Sequence, residues 1–89
     1  EFSLLAEEIG ISLIHLSLAF VANHPAVTSV IIGPRTMEHL ESQIGAADVR
    51  LSADALDRID KIVPPGTDIN SWDSGWLPPA VIDKRLRRR

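Results

Sequence analysis

Apolar residues recur at helical spacing from the first positions of the chain. Phe2, Leu5 and Ile9 fall at i, i+3 and i+7, the period that puts side chains on one face of a helix. No capping residue precedes them, so the pattern reads as the last turns of a helix that begins upstream. Gly10 follows in the place of a left-handed C-cap. Ser12 then predicts the cap of a second helix, running to about Asn23. Leu13, Ile14, Leu16, Leu18, Ala19, Phe20, Val21 and Ala22 make it apolar almost all round, and such a helix needs protein on most sides. Pro25 stops it, because its ring disfavours helical geometry at His24.

The period changes at Thr28. Thr28 to Ile32 is a short run rich in β-branched residues, bounded by Pro25 and by Gly33-Pro34. That is how a strand buried on both faces reads, as in a parallel sheet flanked by helices. Thr36 next predicts the cap of a helix with Met37, Leu40 and Ile44 as its buried stripe, closed by Gly45. Ser52 caps another, with Ala55, Leu56, Ile59, Ile62 and Val63 inward. On its outer face Asp54 and Asp57 stand four residues before Arg58 and Lys61, spacings worth about 0.2–0.5 kcal/mol each. Those acids therefore read as a solvated face and not as a metal site. Pro64-Pro65-Gly66 ends the regular region. The tail after it is irregular, with one or two helical turns expected between Val81 and Leu86.

A buried strand needs partners on both edges, and no second strand of comparable quality exists here. The pattern thus predicts the closing piece of a larger α/β protein: residues 1–66 as an incomplete domain and 67–89 as a loop and basic tail. Taken alone, the piece should be mostly helical, with the strand paired to another chain or changed in conformation. The apolar faces of the helix from Ser12 to Asn23 then predict self-association.

Composition narrows the partners. Eighty-nine residues make at most one small domain, and an apolar share of 45% argues against disorder throughout. The absence of cysteine excludes disulfides and thiolate metal sites. The net charge of -3 divides into -8 over residues 1–83 and +5 over residues 84–89. An acidic body does not suit nucleic acid, and the terminal "KRLRRR" reads as a solvated end. No apolar run approaches the roughly 20 residues needed to span a bilayer, and no leader pattern opens the chain. A cytoplasmic protein without membrane or nucleic-acid partners is expected.

The candidate chemistry lies in Gly33-Pro34-Arg35-Thr36. In parallel α/β folds ligands gather at the carboxyl ends of strands, where the next helix presents N–H donors. Gly33 permits close approach, Pro34 stiffens the turn, Arg35 offers forked donors suited to phosphate, and Thr36 adds a hydroxyl. The helix behind contributes partial positive charge. On spacing alone, an anion site and a plain turn with Arg35 in solvent both remain open.

The stretch "SVIIGPRTMEHLESQIGAADVRLSADALDRIDKIVPPG" resembles the last strand and following helices of the aldo-keto reductase superfamily. The preceding "LAEEIGISLIHLSLAFVANHPAVTSVIIG" does so too, and the likeness runs over residues 4 to 66. "GWLPPA" is similar to tails of bacterial members. The resemblance implies the end of a (β/α)8 TIM barrel that binds NADP(H) and reduces aldehydes and ketones to alcohols. It implies that Gly33, Pro34, Arg35 and Thr36 hold the adenosine 2′-phosphate. Many relatives then present Gln or Arg, followed by Glu-Asn, towards the phosphate and adenine; here those places hold His39, Ser42 and Gln43. That departure leaves NADP preference to Arg35 and is compatible with use of NAD.

In the family a tyrosine donates the proton, supported by lysine, aspartate and histidine upstream. This chain has no tyrosine, so it carries no catalytic residue and is expected to be inactive alone. His15 reads as a satisfied helix histidine, and His24 as a C-terminal helix residue favourable to the dipole. Trp72 and Trp76 read either as a substrate loop or as anchors of the tail to outer helices. A second function class is a free-standing helical module for a protein or nucleic-acid partner. It would pair the helices at 12–23 and 37–44, with "RLRRR" as a basic arm.

Overall fold

A computed structural model describes residues 1–86, and the order is wholly helical. The α-helices are α1 (Phe2–Glu8), α2 (Leu13–Ala22), α3 (Met37–Ile44), α4 (Ala53–Ile62) and α5 (Pro79–Ile82). Short 3-10 turns occupy Gly45–Asp48, Ser71–Asp73 and Lys84–Leu86.

The helix ends follow from side chains that satisfy backbone donors and acceptors. Ser12 accepts from the N–H of His15, Thr36 from that of His39, and Ser52 from that of Ala55. Each relieves one of the donors an α-helix leaves unpaired at its start. At the end of α1 the N–H of Gly10 donates to Glu7 and that of Ile11 to Ala6. With Gly10 at φ +76°, this is the Schellman arrangement. It turns the chain sharply into α2.

Leu5 and Ala6 of α1, Leu16 of α2, and Leu56 and Ile59 of α4 form the core. Phe2, Ile9, Ile11, Phe20, Leu51 and Ile62 pack around it, partly buried. The inward row of α4 thus runs from Ala55 through Ile59, whereas Val63 is largely exposed. Behind α2 the 3-10 turn at Gly45–Asp48 packs its buried Ala46 against the helix. Asn23, the C-cap of α2, binds both sides of the 49–51 connection: Oδ1 accepts from the Leu51 N–H at 2.9 Å and Nδ2 donates to the Val49 carbonyl at 3.1 Å.

The structure resolves one expectation and corrects two. Thr28–Ile32 is extended but belongs to no strand; among the described residues no strand occurs, so the chain taken alone is helical and the segment shows the changed conformation left open for it. A strand exists only where a neighbour shares its hydrogen bonds, and this chain supplies none. Ile31 is consequently 98% exposed. The stripe on α3 is likewise uncovered: Met37 is 68% and Ile44 58% exposed, and the helix buries no residue. On α4, Arg58 turns away from Asp54 to pair with Glu8 of α1, closing the α1–α4 contact from outside.

Beyond Pro64-Pro65 the tail returns. Val81 lies over Gly66, where an added Cβ would come within 2.6 Å of its Cγ1. Trp72 and Trp76 stand on the intervening loop at 95% and 77% exposure. Residues 87–89 of the basic tail lie outside the described residues.

Candidate functional site: the turn before α3

The turn at residues 33–36 leads straight into α3. Thr36 takes an extended conformation, φ -132° and ψ 162°, and its Oγ1 accepts from the His39 N–H at 3.1 Å. That consumes one of the helix's opening donors. The N–H groups of Met37 and Glu38 have no acceptor within the helix, by the geometry of any α-helix. The Thr36 hydroxyl, although it accepts in the cap, keeps its own hydrogen to donate.

Arg35 is exposed, and its fork is available to a ligand. Beyond its own chain neighbours nothing lies within 4 Å of where a Cβ on Gly33 would be, so a ligand can approach the backbone there. Pro34 is half-buried and stiffens the step between them. Glu38 sits in the first turn of α3, where its charge opposes a bound anion and makes the Arg35 cation necessary to offset it.

The predicted helix residues divide. His39 is exposed at the third helical position, beside the cap. Gln43 instead borders a groove of about 380 Å³ together with Val30, Ile32, Leu18 and Arg50. Ser42 is exposed, and its carbonyl accepts from Nε2 of His15 at 2.7 Å. The structure thus brings Gly33, Pro34, Arg35, Thr36 and His39 to one helix mouth, and puts Gln43 in the groove behind.

The other histidines are held in structural bonds. A carbonyl only accepts, so His15 Nε2 carries a hydrogen. The ring also lies close over Gly45, whose hypothetical Cβ would stand 3.3 Å from Cε1 and 3.4 Å from Nε2. His24 lies just past the end of α2, and its Nδ1 accepts from the Ala26 N–H at 3.1 Å. The His15–Ser42 bond and the Asn23 bridge span the chain in ways no spacing rule signals; only the polar character of isolated residues hinted at them.

Among the described residues no group of three or more His, Asp or Glu could hold a metal. No single described helix is long and apolar enough to cross a membrane; α1 and α2 reach that length together only across a 92° bend. The donor set at the helix mouth is suited to an anionic group such as a phosphate: a guanidinium, a hydroxyl and backbone donors.

The sequence matches the Aldo/keto reductase family over residues 1–64. It is similar to a curated protein of Bacillus subtilis (strain 168), "Uncharacterized oxidoreductase YrpG", at 39% identity over 67 residues. That alignment takes in 74% of this chain and 21% of the relative, so the chain spans about a fifth of the relative's length. No solved structure matches it.

Proposed function

The chain belongs to the aldo/keto reductase family, and on that premise we propose that it is the carboxyl-terminal part of an NADP(H)-dependent oxidoreductase. The parent, a cytoplasmic (β/α)8 barrel, reduces aldehydes or ketones to alcohols, with hydride supplied by the bound nicotinamide. The observation that carries this reading is the exposed Arg35 beside open space at Gly33, at the mouth of a capped helix.

In this reading Arg35 takes two oxygens of the adenosine 2′-phosphate with its fork. The Thr36 hydroxyl and the first N–H groups of α3 donate to the rest. Gly33 and Pro34 shape the entry, and His39 sits beside the phosphate. Ser42 and Gln43 lie on the adenine side, Gln43 reaching it from the groove. Trp72 and Trp76 belong to a loop over the substrate, where an exposed ring offers apolar contact area. NADH, lacking the 2′-phosphate, is accepted without help from Arg35.

The test is cofactor discrimination in the full-length parent carrying Arg35→Ala. Losing a charge-assisted hydrogen bond costs about 1.5–3 kcal/mol, so NADPH binding should weaken by roughly tenfold to a hundredfold while NADH binding stays unchanged. Equal losses for the two cofactors would refute a 2′-phosphate role.

A further inference from the structure

We propose that His15 is a positioning residue for the phosphate grip, fixing the orientation of α3 from its far end. The inference rests on the reading of the turn given above and adds a residue remote from it.

Packing alone does not fix α3. The helix buries no residue, and Met37 and Ile44 are exposed at its two ends. Its final carbonyls are acceptors that the helix itself leaves open, and Ser42 supplies one of them to His15 Nε2 at 2.7 Å. The donor is itself held. The His15 backbone N–H is bound to the Ser12 hydroxyl at 3.1 Å in the first turn of α2, and the ring lies against Gly45 at the end of α3. A β-carbon there would crowd the ring, so glycine is what lets the imidazole reach the carbonyl.

The lever is short and stiff. Eight residues of α-helix extend about 12 Å. A tilt of about 10° pivoting at the carboxyl end of such a rod displaces its amino end by roughly 2 Å, whereas binding constellations need placement within about 0.5 Å. The Thr36 hydroxyl and the first N–H donors ride on that end. Holding Ser42 therefore holds the grip, though His15 touches no ligand.

The experiment compares His15→Leu and His15→Gln in the full-length parent, with Arg35→Ala as a control. Two quantities are read: the NADPH and NADH dissociation constants, and amide hydrogen exchange over α3 and α4. For His15→Leu, NADPH binding should weaken roughly threefold to tenfold, the range of one lost hydrogen bond, with NADH binding unchanged. Exchange should quicken over Leu40–Ile44 and not over α4. His15→Gln, which retains an N–H donor, should recover part of both effects.

Equal loss for both cofactors, unchanged exchange in α3, or no recovery by His15→Gln would each overturn the proposal. If Arg35→Ala also lacks selectivity, the phosphate reading falls with it. If Arg35→Ala is selective and His15→Leu is not, only the positioning role falls. Should His15→Leu fail to fold, Gly45→Ala, which presses on the same ring, should raise the NADPH-to-NADH dissociation ratio in the same direction; an unchanged ratio would overturn the proposal.

Discussion

Asn23 meets Leu51 as one strand meets another: its Oδ1 accepts the Leu51 N–H at 2.9 Å while its Nδ2 donates to the neighbouring Val49 carbonyl at 3.1 Å. One side-chain amide thereby does the work of a peptide group and ties the end of α2 to the approach to α4. Asn23→Asp keeps the acceptor but turns a second oxygen towards a carbonyl. An acceptor left facing an acceptor in a half-buried place costs about 1–3 kcal/mol. Urea unfolding should show a loss in that range for Asn23→Asp, and stability equal to the natural chain would mean that the bridge contributes nothing.

Catalysis should be absent from the 89 residues taken alone. They include Arg35 but no tyrosine, and a carbonyl cannot accept hydride efficiently without a proton donor in reach. NADPH incubated with this chain and a simple aldehyde should be consumed no faster than in the blank. Turnover in a preparation free of the full-length protein would contradict the assignment.

Self-association is the expected behaviour of the isolated chain, through apolar positions that the described fold leaves uncovered. Ile31 is the extreme case at 98% exposure, on an extended segment that any sheet edge could join. Ile31→Lys removes the apolar contact and adds a charge that discourages pairing. Sedimentation at matched concentration should shift towards the monomer, with thermal stability changed by less than about 0.5 kcal/mol, as for other exposed positions. An identical distribution of species would point away from this segment.

Near the end of the described chain, Arg85 grips the Asp83 carboxylate with its fork, Nε at 3.0 Å from Oδ1 and Nη2 at 2.6 Å from Oδ2. The side-chain bond, helped by the Arg85 backbone N–H, holds the Asp83 carboxyl below its ordinary range. A carboxyl lowered in the folded state contributes above its ordinary pKa and loses that contribution as the pH falls through the lowered value. Carbon-detected titration should therefore place Asp83 lower in the natural chain than in Arg85→Ala. The same midpoint in both would show that the pair does not form in solution.

What could be read from sequence was local. Ser12, Thr36 and Ser52 are caps because a short polar side chain before an apolar period has one economical use, and Gly10 ends α1 for an equally local reason. The turn at 33–36 was legible on the same grounds. The strand at 28–32 and the stripe on α3 failed differently: their patterns describe burial, and burial needs partners that these residues do not contain. His15–Ser42 and Asn23–Leu51 were illegible because they join positions 27 and 28 residues apart. No periodicity reaches that far.

The contact of Val81 over Gly66 has a meaning for chain length. Viewed as a polymer, the stretch between them is a ring sealed at its base. The entropy of sealing such a ring grows by only about 0.6 kcal/mol for each doubling of its contour. Residues added near Ser74 would enlarge the ring without reopening it, whereas a methyl group at residue 66 would break the seal. The span bearing Trp72 and Trp76 is therefore where this chain can vary in size, and be engineered in size, at the least thermodynamic cost.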